Sequence, residues 1–434
     1  MRKEKIITAI DLGTDKCVTL IASSSDEKQS FQVLGVSVVE SRGVRKSVIV
    51  DLEAALSTIS ESLDSAERMA GFDVNSAFVS VGGAHVKSKN SKGVVAVADP
   101  DGEIIQGDVV RVIEAARAIS LPGDRKIIHV IPRDFKVDSQ DGIKDPVGMT
   151  GVRLESETHI ITGMSTSLRN LEKCFNDLGL QIDGFVFSGL AASTAVLSET
   201  EKELGVVVVD IGAGSTNFCV FSEGTIIYSG AIQLGARHIT QDVALGCRVS
   251  LQAAEKIKIH LNSGKQKVMK LRQGESKQEF NKRKRKLDKL DLNELGITES
   301  EDSLSKRVII EGIMIPRMKE IIQAVLTKLE KQNLLAEVPA GIVLSGGGAL
   351  TVDYVPVIKK YFRLPARVGK PIKIVGLVED MQKSAFANSI GLLYYGKTHL
   401  PDKVSSAGFK MPNVKSFING LANKGSKLIK SLFP

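Results

Sequence analysis

The chain contains no tryptophan, and phenylalanine and tyrosine bring the aromatic share to only 5%. Its basic runs therefore lack the interleaved rings on which single-stranded nucleic acid stacks, and no nucleic-acid partner is expected. Cysteine is scarce: Cys17, Cys174, Cys219 and Cys247 stand singly, with no CxxC and no metal-ligand spacing. That excludes a disulfide scaffold and a zinc module and suits a reducing compartment, with the thiols as core or edge residues. The six histidines are also scattered, so none stands out as a base or a metal ligand. A run of 18 apolar residues is missing, which excludes a membrane-spanning helix. The N-terminus MRKEKIITAIDLG enters a strand pattern at once and leaves no room for a signal peptide, so the protein is expected in the cytosol. Neither GxxxxGK[ST] nor a post-strand GxGxxG occurs, which disfavours P-loop NTPases and Rossmann dehydrogenases.

What is present is a globular composition, 43% apolar and 25% charged over 434 residues, enough for about two to four domains. The net charge of +8 gathers in two places. One is Lys265 to Lys289, with KRKRK at 282–286, expected as a solvated helix or loop. The other follows Asp402, where Lys403, Lys410, Lys415, Lys424, Lys427 and Lys430 meet no acidic residue.

Residues 5–22, KIITAIDLGTDKCVTLIA, read as strand, tight turn and strand, and residues 205–222, GVVVVDIGAGSTNFCVFS, repeat the pattern with Asp210 and Gly212 where Asp11 and Gly13 stood. A repeat this long predicts two related lobes facing each other across a cleft. IVLSGGGAL at 342–350 leads from an apolar strand toward the helical spacing of YVPVIKKYF. Between the hairpins, 85–162 carries its own turns, with a helix expected in VVRVIEAARAI and a strand in KIIHVIPRDFKV, and reads as an inserted unit.

These turns carry phosphate chemistry. Gly13, Gly212 and Gly214 allow backbone N–H groups to close on phosphate oxygens. Thr14, Ser215 and Thr216 add hydroxyl donors and Lys16 a point charge. Asp11 and Asp210, each at a strand end, are placed to hold a hydrated Mg²⁺ through its water shell.

The paired DxG hairpins and the late SGGG resemble the nucleotide motifs of the actin, sugar-kinase and chaperone ATPase superfamily. NSKGVVAV, GDVVRVIEAARAI, IIHVIPRDFKVD, GIKDPVGMTGVRLE and HIITG resemble the subdomain that the FtsA family of bacterial cell-division proteins carries, and the likeness runs over most of 5–396. The resemblance implies an α/β, actin-like two-lobed ATPase fold of duplicated ribonuclease-H-like lobes, with a small inserted α+β subdomain and a C-terminal amphipathic helix. It implies a first lobe at 1–84 and 163–200, the insert at 85–162, and a second lobe at 201–397. The second lobe holds a helical subdomain at about 238–335 with a basic insertion at 265–300. A linker at 398–412 and a membrane helix at 413–434 follow.

By resemblance, Glu255, Lys258, Gly346, Gly347 and Gly348 border the adenosine of ATP, and Gly235 and Asn217 belong to the same cleft. KRVIIEGIMIPRMKEII, from Arg307 to Arg317 and beyond, is similar to the surface that receives the C-terminal peptide of FtsZ. Later division proteins are expected on the insert, and self-association into filaments at the cytoplasmic face of the membrane at the division site. Ala213 and Ala236 replace usual glycines and Asn217 a common aspartate, so hydrolysis is expected to be slow.

The tail VKSFINGLANKGSKLIKSLFP sorts on a helical wheel. Val414, Phe417, Ile418, Leu421, Leu428, Ile429 and Leu432 share one side, with Phe433 beside them, and Lys424, Lys427 and Lys430 face away. That predicts a basic amphipathic helix for an anionic lipid surface. An actin-like platform of type IV pilus assembly shares the core but needs no such tail. A metabolic kinase would need a catalytic aspartate that no constellation singles out, and a chaperone would need a β-rich domain after the core.

Overall fold

The computed structural model describes residues 5–24, 31–99, 101–263, 273–298, 304–372, 374–376 and 379–400. Two five-stranded sheets share one topology. In the first, Lys5–Leu12 pairs antiparallel with Lys16–Ser24 and that with Phe31–Glu40, while Ser76–Val81 joins the other side in parallel, followed by Gln181–Phe187. In the second, Val206–Ile211, Thr216–Ser222 and Thr225–Ile232 form the meander, and Ile342–Ser345 and Ala366–Val368 extend it in parallel. Parallel neighbours need crossovers. Here Leu52–Ala70 and Ser165–Asp177 serve the first sheet, and Ile315–Glu330 and Tyr354–Tyr361 the second.

The repeated hairpins close in the same way. Gly13 N–H donates to Lys16 O at 3.0 Å and Gly212 N–H to Ser215 O at 2.9 Å, so the backbone reverses just after Leu12 and Ile211, each of which follows an aspartate.

Strand alternation decides the core. Val206, Val208 and Cys219 point to one face of the second sheet and join Ile7, Phe78 and Phe187 in a core shared with the first lobe. Val207, Val209 and Phe218 point to the other face, against Ile239, Met318 and Ile322 of the helical region. The helix Ser188–Val196 lies in the shared core beside the helix Ala387–His399.

That last helix departs from the expected boundaries. Ile390, Leu392 and Leu393 are buried with Ile7 and Phe78, so 387–397 belongs to the first lobe although it follows the second in sequence. Buried on several sides, it has no single polar face to mark its partner. It also runs to His399, two residues into the stretch expected as linker.

The insert is an antiparallel sheet in the order Lys87–Ala96, Arg153–Met164, Arg125–Val137, Gln140–Ile143, covered by the helix Gln106–Arg117. Ile104, Val112 and Leu154 centre its own small core. Ser88 Oγ donates to Ser229 O at 2.7 Å and Asn90 Nδ2 to Ile227 O at 3.1 Å, fixing the insert to the edge of the second sheet.

Candidate nucleotide site

A cleft of about 970 Å³ opens between the lobes. The structure brings Asp11, Gly13, Thr14, Lys16, Asp210, Gly212, Ser215, Asn217, Glu255, Lys258, Gly346, Gly347 and Gly348 to its wall. Gly346 has φ of +81°, and a Cβ there would collide with Ile211 O. Gly347 faces open space, so its peptide is free for close approach by a ligand.

The carboxylates lie deep. Asp11 accepts from Ser80 Oγ at 2.6 Å; burial nevertheless holds its carboxyl above the usual range, against the pull of Ser80 and Lys16. Asp210 is 2% exposed and is pushed to about 7, first by burial and also by the Asp11 charge, while Asn388, Asn217 and Lys16 oppose the shift. Burial lowers the ammonium of Lys16 and the carboxylates around it raise it. Its Nζ rests 3.5 Å from the centroid of the Phe386 ring. Two desolvated carboxyls facing one half-buried lysine would gain from a further cation.

The donor set fits a hydrated divalent ion. Among the described residues no group of three or more His, Cys, Asp or Glu converges, so no many-ligand cage is formed. Asp11 and Asp210 offer oxygens of the kind a water-keeping ion uses, and the buried Oδ1 of Asn388 has no hydrogen-bond partner.

On the opposite wall, Glu255 Oε2 accepts from Thr240 Oγ1 at 2.6 Å and from Lys258 Nζ at 2.7 Å, and Lys258 Nζ donates to Thr240 Oγ1 at 2.9 Å. The triad fixes a carboxylate and an ammonium at the cleft edge, where ribose hydroxyls could be met. Asn262 Oδ1 accepts from Val352 N–H at 2.9 Å and ties the helix Leu251–Ser263, which carries Glu255 and Lys258, to the segment after the SGGG turn.

Three residues expected at the cleft, Thr216 and Gly214 in the phosphate cradle and Gly235 beside it, are not brought to its wall. Thr216 is fully buried and its hydroxyl donates to Leu234 O at 2.7 Å. As the first residue of its strand it points into the sheet, so it offers no phosphate donor. Gly235 stands behind the turn: a Cβ would lie 2.6 Å from both Gly212 O and Ala213 O. Gly214 lies where the lobes come close: a Cβ there would sit 2.8 Å from Thr14 Oγ1 and 2.9 Å from Lys46 N and Cα.

Other cleft residues were not read from the sequence. Ser80 is the last residue but one of the strand Ser76–Val81, which precedes the Gly82–Gly83 pair, and that strand-plus-glycine pattern could have flagged it. Gly83 N–H donates to Asn217 Oδ1 at 2.9 Å. Ser47 and Asn388 carry no local signal.

Arg307 and Arg317 lie on one stretch, at the start of the π-helical turn Val308–Met314 and in the helix Ile315–Glu330. Arg317 grips Asp242 through Nε at 2.6 Å and Nη2 at 3.0 Å, and pairs with Glu320. Arg307 pairs with Glu311 at 2.9 Å. The basic helix Lys277–Asp288 buries no residue, and its Asp288 accepts from Arg307 N–H at 2.9 Å. The lipid-facing residues expected from Val414 to Phe433 lie outside the described residues.

Comparison with known proteins agrees with this geometry. Residues 83–162 match the family model "SHS2 domain inserted in FTSA", and 207–391 match "Cell division protein FtsA". A curated "Cell division protein FtsA" of Borreliella burgdorferi is 36% identical over 96% of this chain and 97% of its own. That of Pseudomonas aeruginosa is 34% identical over 92% and 91%. Among solved structures, a type IV pilus biogenesis complex, PilM-PilN, superposes with TM-score 0.59 at 14% identity, over 90% of this chain and 98% of that one. MreB5 of Spiroplasma citri bound to ADP gives 0.50 at 14% identity, over 91% and 97%. At these identities the two structures support the actin-like fold alone.

Proposed function

The chain belongs to the FtsA family of cell division proteins, and from that premise we propose that it binds Mg-ATP in the interlobe cleft and works as a membrane-bound scaffold for FtsZ. The observation that carries the reading is the pair of matching hairpins that bring Asp11 and Asp210 together at the floor of one cleft. Glycine turns, the hydroxyls of Thr14 and Ser215, and Lys16 supply the phosphate donors. Glu255 and Lys258 border the ribose, and Gly346, Gly347 and Gly348 leave room for the base.

In this reading ATP closes the cleft and favours joining of subunits into filaments, and hydrolysis is slow. The amphipathic tail holds the filament to anionic lipid at the cytoplasmic face, and many weak anchors add by multivalency. The FtsZ peptide docks on the surface from Arg307 to Arg317, and the insert receives later division proteins. The likeness in sequence is to FtsA proteins at 34–36% identity, against 14% for the pilus protein. A pilus platform is therefore not favoured, and no kinase constellation emerges in the cleft.

Calorimetry of Mg-ATP binding tests the site. Asp210→Ala should weaken affinity by about tenfold or more, the loss of one charge-assisted contact, and Gly212→Val should do so by crowding the phosphate turn, where a Cβ would lie 3.0 Å from Ser215 O. Parent-like affinity in both folded variants would remove this cleft as the nucleotide site.

A further inference from the structure

Asn388 stands in the first turn of the helix Ala387–His399 and lines the cleft. Its Nδ2 donates to Asp210 Oδ2 at 3.1 Å, while its Oδ1 is buried without a partner. Asn217 provides an internal comparison. Its Nδ2 reaches the same carboxylate oxygen at 3.5 Å, but its Oδ1 accepts from Gly83 N–H at 2.9 Å. One amide is satisfied at both ends and the other at only one.

Turning the Asn388 amide over does not resolve this. It would set Oδ1 against the Asp210 oxygen and leave the amide hydrogens without that acceptor. A buried acceptor costs free energy until a donor or a cation meets it. The orphan lies one amide group away from a carboxylate that already favours a cation. The Nδ2 bond to Asp210 explains the amide hydrogens but leaves the buried oxygen without a role.

We propose that Asn388 is a positioning residue for the hydrated Mg²⁺ that accompanies the nucleotide. Its amide hydrogens hold the Asp210 carboxylate in place, and its Oδ1 accepts a hydrogen bond from water in the ion's shell. Mg²⁺ gives up its waters reluctantly, so acceptors that bind those waters set affinity and orientation much as outer partners do at other metal sites. The inference rests on the nucleotide reading of the cleft and goes beyond it by assigning a neutral residue of the last described helix to the ion.

The test titrates Mg²⁺ into the full-length protein with a fluorescent ATP analogue, comparing the parent with Asn388→Leu and Asn388→Asp. The leucine should raise the Mg²⁺ concentration for half-maximal binding by about tenfold, as expected for one hydrogen bond in a charged site. It should leave analogue binding in EDTA within about twofold of the parent. The aspartate restores an oxygen at the orphan position, so its half-saturation should equal or fall below the parent's, while binding in EDTA declines. A leucine variant with parent-like Mg²⁺ dependence overturns the proposal. If leucine prevents folding, an aspartate variant whose half-saturation rises well above the parent's overturns it as well. A parent that binds no analogue at any Mg²⁺ concentration removes the nucleotide reading itself, and the assignment of Asn388 with it.

Discussion

Ser47 Oγ lies 2.7 Å from Ser215 Oγ, a hydrogen bond that spans the cleft from the first lobe to the phosphate turn of the second. The loop that carries Ser47 is strained, with φ of +49° at Lys46 and +62° at Ser47, and Ser47 N–H donates to Thr14 Oγ1 at 3.1 Å. A left-handed non-glycine residue costs about 1–2 kcal/mol, and the hydroxyl bond returns about 1 kcal/mol. Ser47→Gly should therefore change the melting temperature little. It also frees Ser215 for phosphate, so Mg-ATP affinity should rise by about fivefold, the equivalent of about 1 kcal/mol. Weaker binding in a fluorescent-nucleotide titration would show that Ser47 is itself a phosphate donor.

A second expectation concerns the helix crossing beneath the cleft. A Cβ at Gly391 would run into Ala191 O of the neighbouring helix, and backbone cannot rotate aside as a side chain can. Gly391→Ala should destabilise the protein by about 3 kcal/mol, the upper range for overpacking. Urea unfolding would read it as a lower midpoint with an unchanged slope.

Acid should unfold the protein through two histidines. Phe187 N–H donates to His129 Nε2 at 2.9 Å, so Nδ1 carries the proton and faces the Tyr395 hydroxyl at 3.3 Å. Asn90 Nδ2 is given to Ile227 O, so His159 Nδ1 donates to Asn90 Oδ1 at 2.6 Å, and Nε2 accepts from the Ser229 hydroxyl at 2.9 Å. Burial lowers both rings from 6.5 to about 3. Because the folded value is depressed, their contribution is complete above pH 6.5 and is lost as pH falls toward 3. Each ring should remove about 1.4 kcal/mol per pH unit across that window. His159→Leu should be less stable than the parent at pH 7.5 yet lose less of its urea midpoint between pH 6.5 and 5. Parallel losses in the two proteins would sink the assignment.

The tail makes a separate prediction from periodicity alone. Burying side chains such as Phe417, Leu421 and Leu428 in a lipid interface contributes about 1.5–3 kcal/mol each before the cost of ordering the helix. Removing the residues after Met411 should abolish co-sedimentation with anionic liposomes and leave ATP binding intact. Added salt should weaken attachment only in part, since only the lysine attraction is screened. Undiminished co-sedimentation of the truncated chain would move the lipid contact elsewhere.

Much of this architecture is legible in the sequence because it rests on local chemistry. Asp11-Leu-Gly13 and Asp210-Ile-Gly212 each end a strand and turn it, and such turns are written in adjacent residues. The partners distant in sequence are not. Ser80 meets Asp11 over 69 positions, Asn388 meets Asp210 over 178, and Ser47 meets Ser215 over 168. No local pattern marks a serine or an asparagine for such a meeting. Thr216 failed for the opposite reason, since its neighbours invite a phosphate role while strand alternation turns its hydroxyl into the sheet. The helix Ala387–His399 was assigned by sequence order to the second lobe, and packing gave it to the first.

Several peptide groups on outer strands of the two large sheets are already occupied. Ser229 N–H and O both meet Ser88 Oγ, and Ile227 O meets Asn90. Phe187 N–H is taken by His129, and Val33 N–H by Val375 O at 3.0 Å. An edge whose hydrogen-bonding groups are occupied cannot template an added strand at those points. At Ser229, Ile227, Phe187 and Val33 a second copy of this chain would therefore meet side chains and occupied peptide groups rather than an open strand edge. Occupied edge groups of this kind work against the strand-to-strand stacking from which a cross-β fibre grows.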